Sequence, residues 1–170
     1  MPVFTFFCSI IILIGSQNLF AQANNAELLT SIREQLPEAF KKDEVCSALM
    51  KEVINVKSPD PLLKGYMGGV YIARSKHAPL LDKRSALKTG TTLLEQAITE
   101  KPNNIELLFL RLSIQLNLPG FLGYNDNIDD DKAFVLQNYR KAPTVLKARI
   151  INFINTSGYF TESEKQMVTN

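Results

Sequence analysis

Prolines beside helix-capping residues divide most of this chain into segments that are each suited to a single helix. The clearest boundary is at Asp60 and Pro61, because Asp is a favoured N-cap and Pro is favoured at the first helical position. Pro79, Pro102 and Pro143 mark further boundaries, and the segments between them carry apolar residues at helical spacing. The pattern predicts an all-α fold: a bundle or solenoid-like array of about seven to eight short helices.

Other residues predict individual helix ends. Pro37 should kink or break the first helix, because proline inside a helix costs about 3 kcal/mol. Gly158 is expected to be the C-terminal cap of the seventh helix. The residues expected at N-termini are Asp43, Asp82, Asn104, Asn127 and the capping box formed by Thr161 and Glu164.

The segment IELLFLRLSIQLNL, residues 105–118, fits two types of secondary structure. Leu110, Leu112 and Ile114 belong to an alternation that is typical of a strand, whereas Ile105 and Leu108 fit a helical face. The Asn104 cap and the length of the segment favour a central, mostly buried helix.

The N-terminus has the pattern of an export signal. An apolar run, residues 3–14, is too short to span a bilayer, and Ala21-Gln22-Ala23 fits the small-x-small cleavage rule. No Lys or Arg precedes the run, which departs from the usual signal. We expect residues 1–23 to be a signal peptide and residues 24–170 to form a single all-α domain in the periplasm or outside the cell. Cys46 is then the single remaining thiol and should be buried.

Charge and composition argue against a nucleic-acid reader. The net charge is +2, and the basic residues are scattered instead of forming a stripe. With 45% hydrophobic and 21% charged residues, the 170-residue chain has the balance of one globular domain. No cofactor is indicated.

Three glycines, Gly65, Gly68 and Gly69, lie on neighbouring positions of the predicted third helix. Their spacing matches neither a dinucleotide nor a phosphate-binding loop, and no strand precedes them. We therefore predict that they permit the close approach of a second helix.

Residues 90–114 resemble the second helix, turn and first helix of adjacent tetratricopeptide repeats. Gly90, Leu94, Ala97 and Pro102 occupy the small, bulky, Ala and Pro positions of such a repeat. Gly68 and Tyr71 match the preceding helix, although the link from His77 to Asp82 is longer than the repeat allows. The resemblance implies paired helices and a binding role.

A wider resemblance is carried by ELLFLRLSIQLNLPGFLGYNDNIDDDKAF and the tail GYFTESEK. Together with the exported N-terminus, these stretches resemble small uncharacterised exported helical proteins of Bacteroidetes-type bacteria. That group has no assigned activity, so the resemblance implies a compartment and a helical fold.

The acidic stretch before the sixth helix allows two interpretations. Asn125, Asn127, Asp129 and Asp131 alternate as in an oxygen-rich calcium loop, but Asp130 and Leu136 stand where the helix-loop-helix calcium motif needs Gly and Glu. We favour helix capping, with Asp129 and Asp130 stabilised by the helix dipole. A calcium-stabilised structural module remains an alternative.

Catalytic side chains are sparse. His77 is the single histidine and is expected at a helix end, and one His with one mature Cys cannot supply a zinc site. Ser75 is too close in sequence to face His77 on a helix, and Cys46 lies among apolar residues. A small hydrolase-like enzyme using His77 remains an alternative to a non-catalytic protein.

Binding is the larger class, because stacked helical pairs form grooves that suit peptides or partner helices. Arg111 is the one basic residue in a very apolar segment, and we predict a structural ion pair with Asp126 or Asp129. The sequence thus predicts an exported, non-catalytic protein that contacts a protein or peptide partner. The candidate groove residues are Tyr66, Tyr71, Arg74, Arg111 and Tyr124.

Overall fold

A computed structural model of the chain describes the backbone of residues 5–169 and the side chains of residues 22–169. Within residues 5–169 the chain forms eight α-helices and no strand, which confirms the predicted all-α class. Two 3₁₀ turns, Gly120–Leu122 and Tyr139–Lys141, precede the sixth and seventh helices. The helices are α1 (Thr5–Ala39), α2 (Asp43–Val53), α3 (Pro61–His77), α4 (Leu80–Glu100), α5 (Ile105–Asn117), α6 (Ile128–Asn138), α7 (Thr144–Thr156) and α8 (Glu162–Thr169).

The predicted signal peptide, residues 1–23, falls largely outside the residues whose side chains are described, and it stays a prediction. Among the described residues, no helix combines the length and the apolar character that a bilayer crossing requires.

Three predicted helix starts are confirmed by side-chain hydrogen bonds. Asp60 Oδ1 accepts from two backbone N–H groups of α3 at 2.8 and 3.2 Å. Asn104 Oδ1 accepts from two N–H groups of α5, both at 3.1 Å, so the ambiguous segment is a helix. In the capping box, the backbone N–H of Thr161 donates to Glu164 Oε2 at 2.7 Å, and the Glu164 N–H donates to Thr161 Oγ1 at 3.3 Å.

We expect Asn104→Ala to lower the free energy of unfolding by about 1 kcal/mol, because two N–H groups at the start of α5 lose their acceptor. Asn104→Asp should retain the stability, because a carboxylate also caps. Urea unfolding of the three proteins measures the difference, and equal midpoints for all three would show that the cap contributes nothing.

Four other predicted ends are wrong in detail. Asp43 and Asp82 lie in the first turns of α2 and α4 and do not cap them. Asn127 occupies the N-cap position of α6 but makes no capping bond, because its Oδ1 accepts from Gln115 Nε2 at 3.4 Å. Gly158 follows Ser157, the C-cap residue of α7, but its φ is not positive, so it does not form the predicted glycine cap. Acidic residues are favourable both at a cap and in the first turn, so the sequence signal locates a start only to about one turn.

Pro37 lies inside α1, two residues before the helix ends at Ala39. Because proline has no N–H group, the carbonyl of Arg33, four residues earlier, loses its helical partner. Arg149 Nη1 on α7 donates to this carbonyl at 3.3 Å. The break predicted at Pro37 corresponds to the end of α1 at Ala39, two residues further along the chain. The Arg33 carbonyl, which lacks its helical partner, connects α1 to α7 through Arg149.

Gly68 on α3 and Gly90 on α4 lie against each other where these two helices pack. A Cβ atom at Gly68 would lie 2.6 Å from the Gly90 carbonyl oxygen, and a Cβ at Gly90 would lie 2.6 Å from the Gly68 oxygen. A side chain on either residue would push the helices apart. Gly65 lies near Leu94 and Ala97, so the pair is antiparallel. The prediction that the α3 glycines permit close helix packing is confirmed.

Helix α5 joins two hydrophobic cores. The first core packs α1 to α5 around fully buried residues such as Leu63 and Leu107. The second packs α5 to α8 around Ile150, and Leu112 of α5 belongs to it. The two cores cover opposite faces of α5. Between them, a strip of α5 faces the protein surface, with α1 on one side and α7 on the other.

Candidate functional site: a cleft over the central helix

Two arginine clusters hold the helices around α5. In the first, Arg33 Nε and Nη2 on α1 donate to Glu106 Oε1 and Oε2 on α5 at 2.6 and 2.8 Å. The hydroxyl of Tyr66 on α3 donates to Glu106 Oε1 at 2.9 Å. Burial and the neighbouring Glu106 carboxylate raise the pKa of Tyr66, so it remains a hydrogen-bond donor. Tyr66 is thus a buried link between α3 and α5.

The second cluster contains Arg111, whose predicted structural pairing is found with a different partner. Its Nε and Nη2 donate to Asp131 Oδ2 and Oδ1 at 2.7 and 2.8 Å. The predicted partners, Asp126 and Asp129, were wrong. Asp131 lies on the first turn of α6 facing α5, whereas Asp129 is exposed. Two residues along a helix turn a side chain by about 200°, so Asp129 and Asp131 face opposite sides of α6.

Glu95 on α4 completes this second cluster. It accepts from Arg111 Nη1 at 2.7 Å and from the Tyr124 hydroxyl at 2.6 Å. Burial raises the pKa of Tyr124, and Glu95 adds to the shift. Burial opposes the charge of Arg111, but hydrogen bonds and charges from Asp131 and Glu95 outweigh it and raise the guanidinium pKa. Burial also raises the pKa of Asp131, while the two-pronged contact with the permanently charged Arg111 holds this carboxylate ionised at neutral pH.

The five candidate groove residues do not line one groove. Arg111 and Tyr124 share the second cluster, whereas Tyr66 belongs to the first. Arg74 Nη1 donates to Asp43 Oδ1 at 3.0 Å on a solvent-facing edge between α2 and α3. Tyr71 is half-buried against the first core.

A cleft of about 690 Å³ lies between the C-terminal part of α1, the floor helix α5 and the wall helix α7. We call it the central cleft. Clefts of roughly 300–1,000 Å³ are typical of ligand sites. Phe109 and Phe153 contact edge to face at 5.5 Å between ring centroids and give part of its apolar surface. Hydrogen-bonding side chains along it are Ser113, Asn117, Asn152 and Thr156.

The central cleft is richer in cations than in carboxylates. Arg33 and Lys41 line it, but Glu106 and Glu38 neutralise them at 2.6 and 2.9 Å. Arg149 and Lys76 also line it, and neither forms a salt bridge with a carboxylate of residues 22–169. Among the described lining residues, Glu34 is the single acidic one.

The oxygen-rich stretch does not converge on one point. Asp131 is held by Arg111, and Asn127 accepts from Gln115, so these two side chains face α5. Asn125 and Asp129 are exposed. In the part of the chain with described side chains, no group of three or more His, Cys, Asp or Glu residues is placed to hold a metal ion.

The His77 side chain, at the end of α3, caps the C-terminal end of α1. Its Nε2 donates to the carbonyl oxygen of Ala39, the last residue of α1, at 2.8 Å. The two candidate nucleophiles also bond to backbone carbonyls: Ser75 Oγ donates to Ile72 at 2.6 Å, and the Cys46 thiol faces Val70 at 4.0 Å. Cys46 is fully buried, as predicted, and burial raises the pKa of its thiol. This arrangement gives His77 a structural role.

Substituting His77 tests whether this hydrogen bond stabilises the fold. We expect His77→Gln to keep stability nearly unchanged, because the Gln amide can place an N–H close to the Nε2 position. His77→Leu should lose about 1 kcal/mol, because the Ala39 carbonyl loses its donor. Thermal melting checks both variants. Equal losses in the two would show that the hydrogen bond is not what His77 contributes.

Three residues that line the central cleft or hold its helices together were not predicted from the sequence: Arg33, Glu106 and Arg149. Arg33 follows the buried Ile32 on the apolar face of α1, which is the same signal that singled out Arg111. Pro37 gave a second signal, because the carbonyl that it frees requires a donor from elsewhere in the fold.

The chain matches no protein-family model, no curated protein and no solved structure. Conclusions about function therefore depend on the geometry described above.

Proposed function

We propose that this chain is an exported, non-catalytic helical protein that works in the periplasm or outside the cell by binding a protein or peptide in the central cleft. One observation carries the proposal: a cleft of about 690 Å³ combines an apolar surface with hydrogen-bonding side chains and with Lys76 and Arg149, which have no carboxylate partner among residues 22–169. Such a mixture suits a polypeptide, which presents side chains and a hydrogen-bonding backbone together.

The rigidity of the cleft supports the same proposal. The Arg33–Glu106–Tyr66 cluster fixes α1 to α5 at one end of the cleft, and Arg149 ties α7 to the Arg33 carbonyl. A preformed surface loses little conformational entropy when a partner binds. The leader-like N-terminus and the resemblance to exported helical proteins favour a location outside the cytoplasm.

Site-specific photocrosslinking in the source cell tests the proposal. A benzophenone side chain at Asn152, exposed on the cleft wall, should give a discrete protein adduct. The same side chain at Lys88, exposed on α4 and outside the cleft lining, is the matched control and should give none. Adducts of equal yield at both positions, or no adduct at Asn152, would contradict binding in the cleft.

A further inference from the structure

The charges at the two ends of the central cleft are held in place by neighbouring groups. At one end, Arg149 is fixed by its hydrogen bond to the Arg33 carbonyl. At the other, Lys76 Nζ lies 5.7 Å from the centre of the Phe40 ring, within cation–π distance. Arg33 and Phe40 are seven residues apart along the chain, which corresponds to roughly 10 Å at about 1.5 Å per helical residue.

The spacing of the two cations favours an extended chain over a helix. At about 3.1 Å per residue, three residues of an extended chain span the distance of roughly 10 Å. A helix needs about seven residues for the same distance at about 1.5 Å per residue. Isolated helices of that length are marginal in water.

The hydrogen-bonding side chains distinguish a peptide from a lipid. Asn117 on the floor and Asn152 on the wall are exposed amides beside the apolar surface of Phe109 and Phe153. Asn117 Nδ2 donates to the Ser113 carbonyl at 2.7 Å, so a peptide backbone can bond to the Asn117 oxygen and to the Asn152 amide. An acyl chain would desolvate the same groups without replacing their bonds to water, which is unfavourable.

We propose that the occupant of the central cleft is an extended peptide segment of a partner protein, with an acidic residue on each side of a short apolar run. Arg149 and Lys76 bind the two carboxylates, and the surface around Phe109 and Phe153 contacts the apolar residues. The inference deepens the proposed function and rests on it.

Three blocked, fluorescently labelled peptides with a central Leu-Leu pair test the inference on the intact chain. They differ in the flanking residues, which are Asp, Asn or Lys. We expect the Asp peptide to bind roughly fivefold to tenfold more tightly than the Asn peptide, because two partly exposed charge pairs are added. The Lys peptide should bind more weakly than the Asn peptide, and raising the salt concentration should reduce the difference.

Charge-changing variants show where the peptide binds. Lys76→Met and Arg149→Met should each lower the affinity for the Asp peptide about twofold to fivefold while leaving the Asn peptide unaffected. Glu34→Gln should raise it, because a repelling carboxylate is removed. Arg84→Met, on an exposed turn of α4 outside the cleft lining, is the matched control and should change nothing. Arg149 also binds a backbone carbonyl, so Lys76→Met keeps the test valid if Arg149→Met fails to fold.

Three results would overturn the inference. The first is equal affinity for the Asp, Asn and Lys peptides, with each affinity lowered by the benzophenone side chain at Asn152. This result would reject the preference for acidic residues and leave the proposed function intact. Saturable binding of dodecanoate with no binding of any peptide would replace the peptide with a lipid. No binding of any probe, together with no adduct at Asn152 in the source cell, would remove both the inference and the proposed function.

Discussion

Arg111→Ala is expected to lower the free energy of unfolding by about 3–5 kcal/mol, because it leaves the buried Asp131 carboxylate without a partner. The Asp131 side chain is 3% exposed, so it cannot turn to bulk solvent when the guanidinium is removed. For a domain of this size, such a loss corresponds to a fall in Tm of roughly 6–20 °C. Glu95 contributes less to the loss, because its side chain is 40% exposed and can turn to solvent. Differential scanning calorimetry on the intact chain measures the effect.

A matched pair of variants separates this mechanism from a simple loss of charge. Arg74→Ala breaks an exposed pair with Asp43 and should cost no more than about 1 kcal/mol. The double variant Arg111→Met with Asp131→Val should recover most of the loss, because it removes both charges and roughly keeps the volume. If Arg111→Ala costs no more than Arg74→Ala, the ion pair is not structural, and Arg111 is available for a ligand.

Gly68→Val is expected to have the second large effect, a loss of roughly 3 kcal/mol or more. Its Cβ would lie 2.6 Å from the Gly90 carbonyl oxygen and 2.9 Å from the Leu94 backbone nitrogen. Backbone atoms of a packed helix cannot move aside singly, so α3 and α4 must separate. The small gain in helix propensity over glycine does not offset this cost. Chemical denaturation of the variant checks the prediction.

Two other glycines supply the controls for Gly68. A Cβ at Gly65 would meet the end of the flexible Leu107 side chain, so Gly65→Ala should cost less than Gly68→Val. Gly158 has open space around it, and Gly158→Val should stay within about 0.5 kcal/mol of the parent. Equal unfolding midpoints for Gly68→Val and Gly158→Val would mean that the two helices tolerate a side chain at their contact.

The fold could be predicted where local chemistry alone decides it. Asp60 and Asn104 cap their helices because each has N–H groups within reach of a short polar side chain. Asn127 has the same local signal, but its side chain bonds to Gln115 instead. That competition depends on how α5 packs beside the loop, which the residues around Asn127 do not encode.

The candidate site was harder to predict for the same reason. Arg111 was recognisable as a charge that needs a partner, but four aspartates, at residues 126, 129, 130 and 131, were similarly near in sequence. The phase of α6 against α5 selects Asp131 among them. The central cleft combines α1 with α7, and its contact between Arg149 and the Arg33 carbonyl spans 116 residues. Helical periodicity shows which residues are buried but not which helices become neighbours across such a distance.

Amide chemical-shift mapping of the isotope-labelled intact chain, titrated with the Asp-Leu-Leu-Asp peptide, tests the central claim most directly. Binding in the central cleft predicts that the largest shift changes fall in residues 33–41, 109–117 and 149–156. The outer face of α4 around Lys88 should remain unchanged. Largest changes on that outer face, or no saturable change anywhere, would contradict the claim.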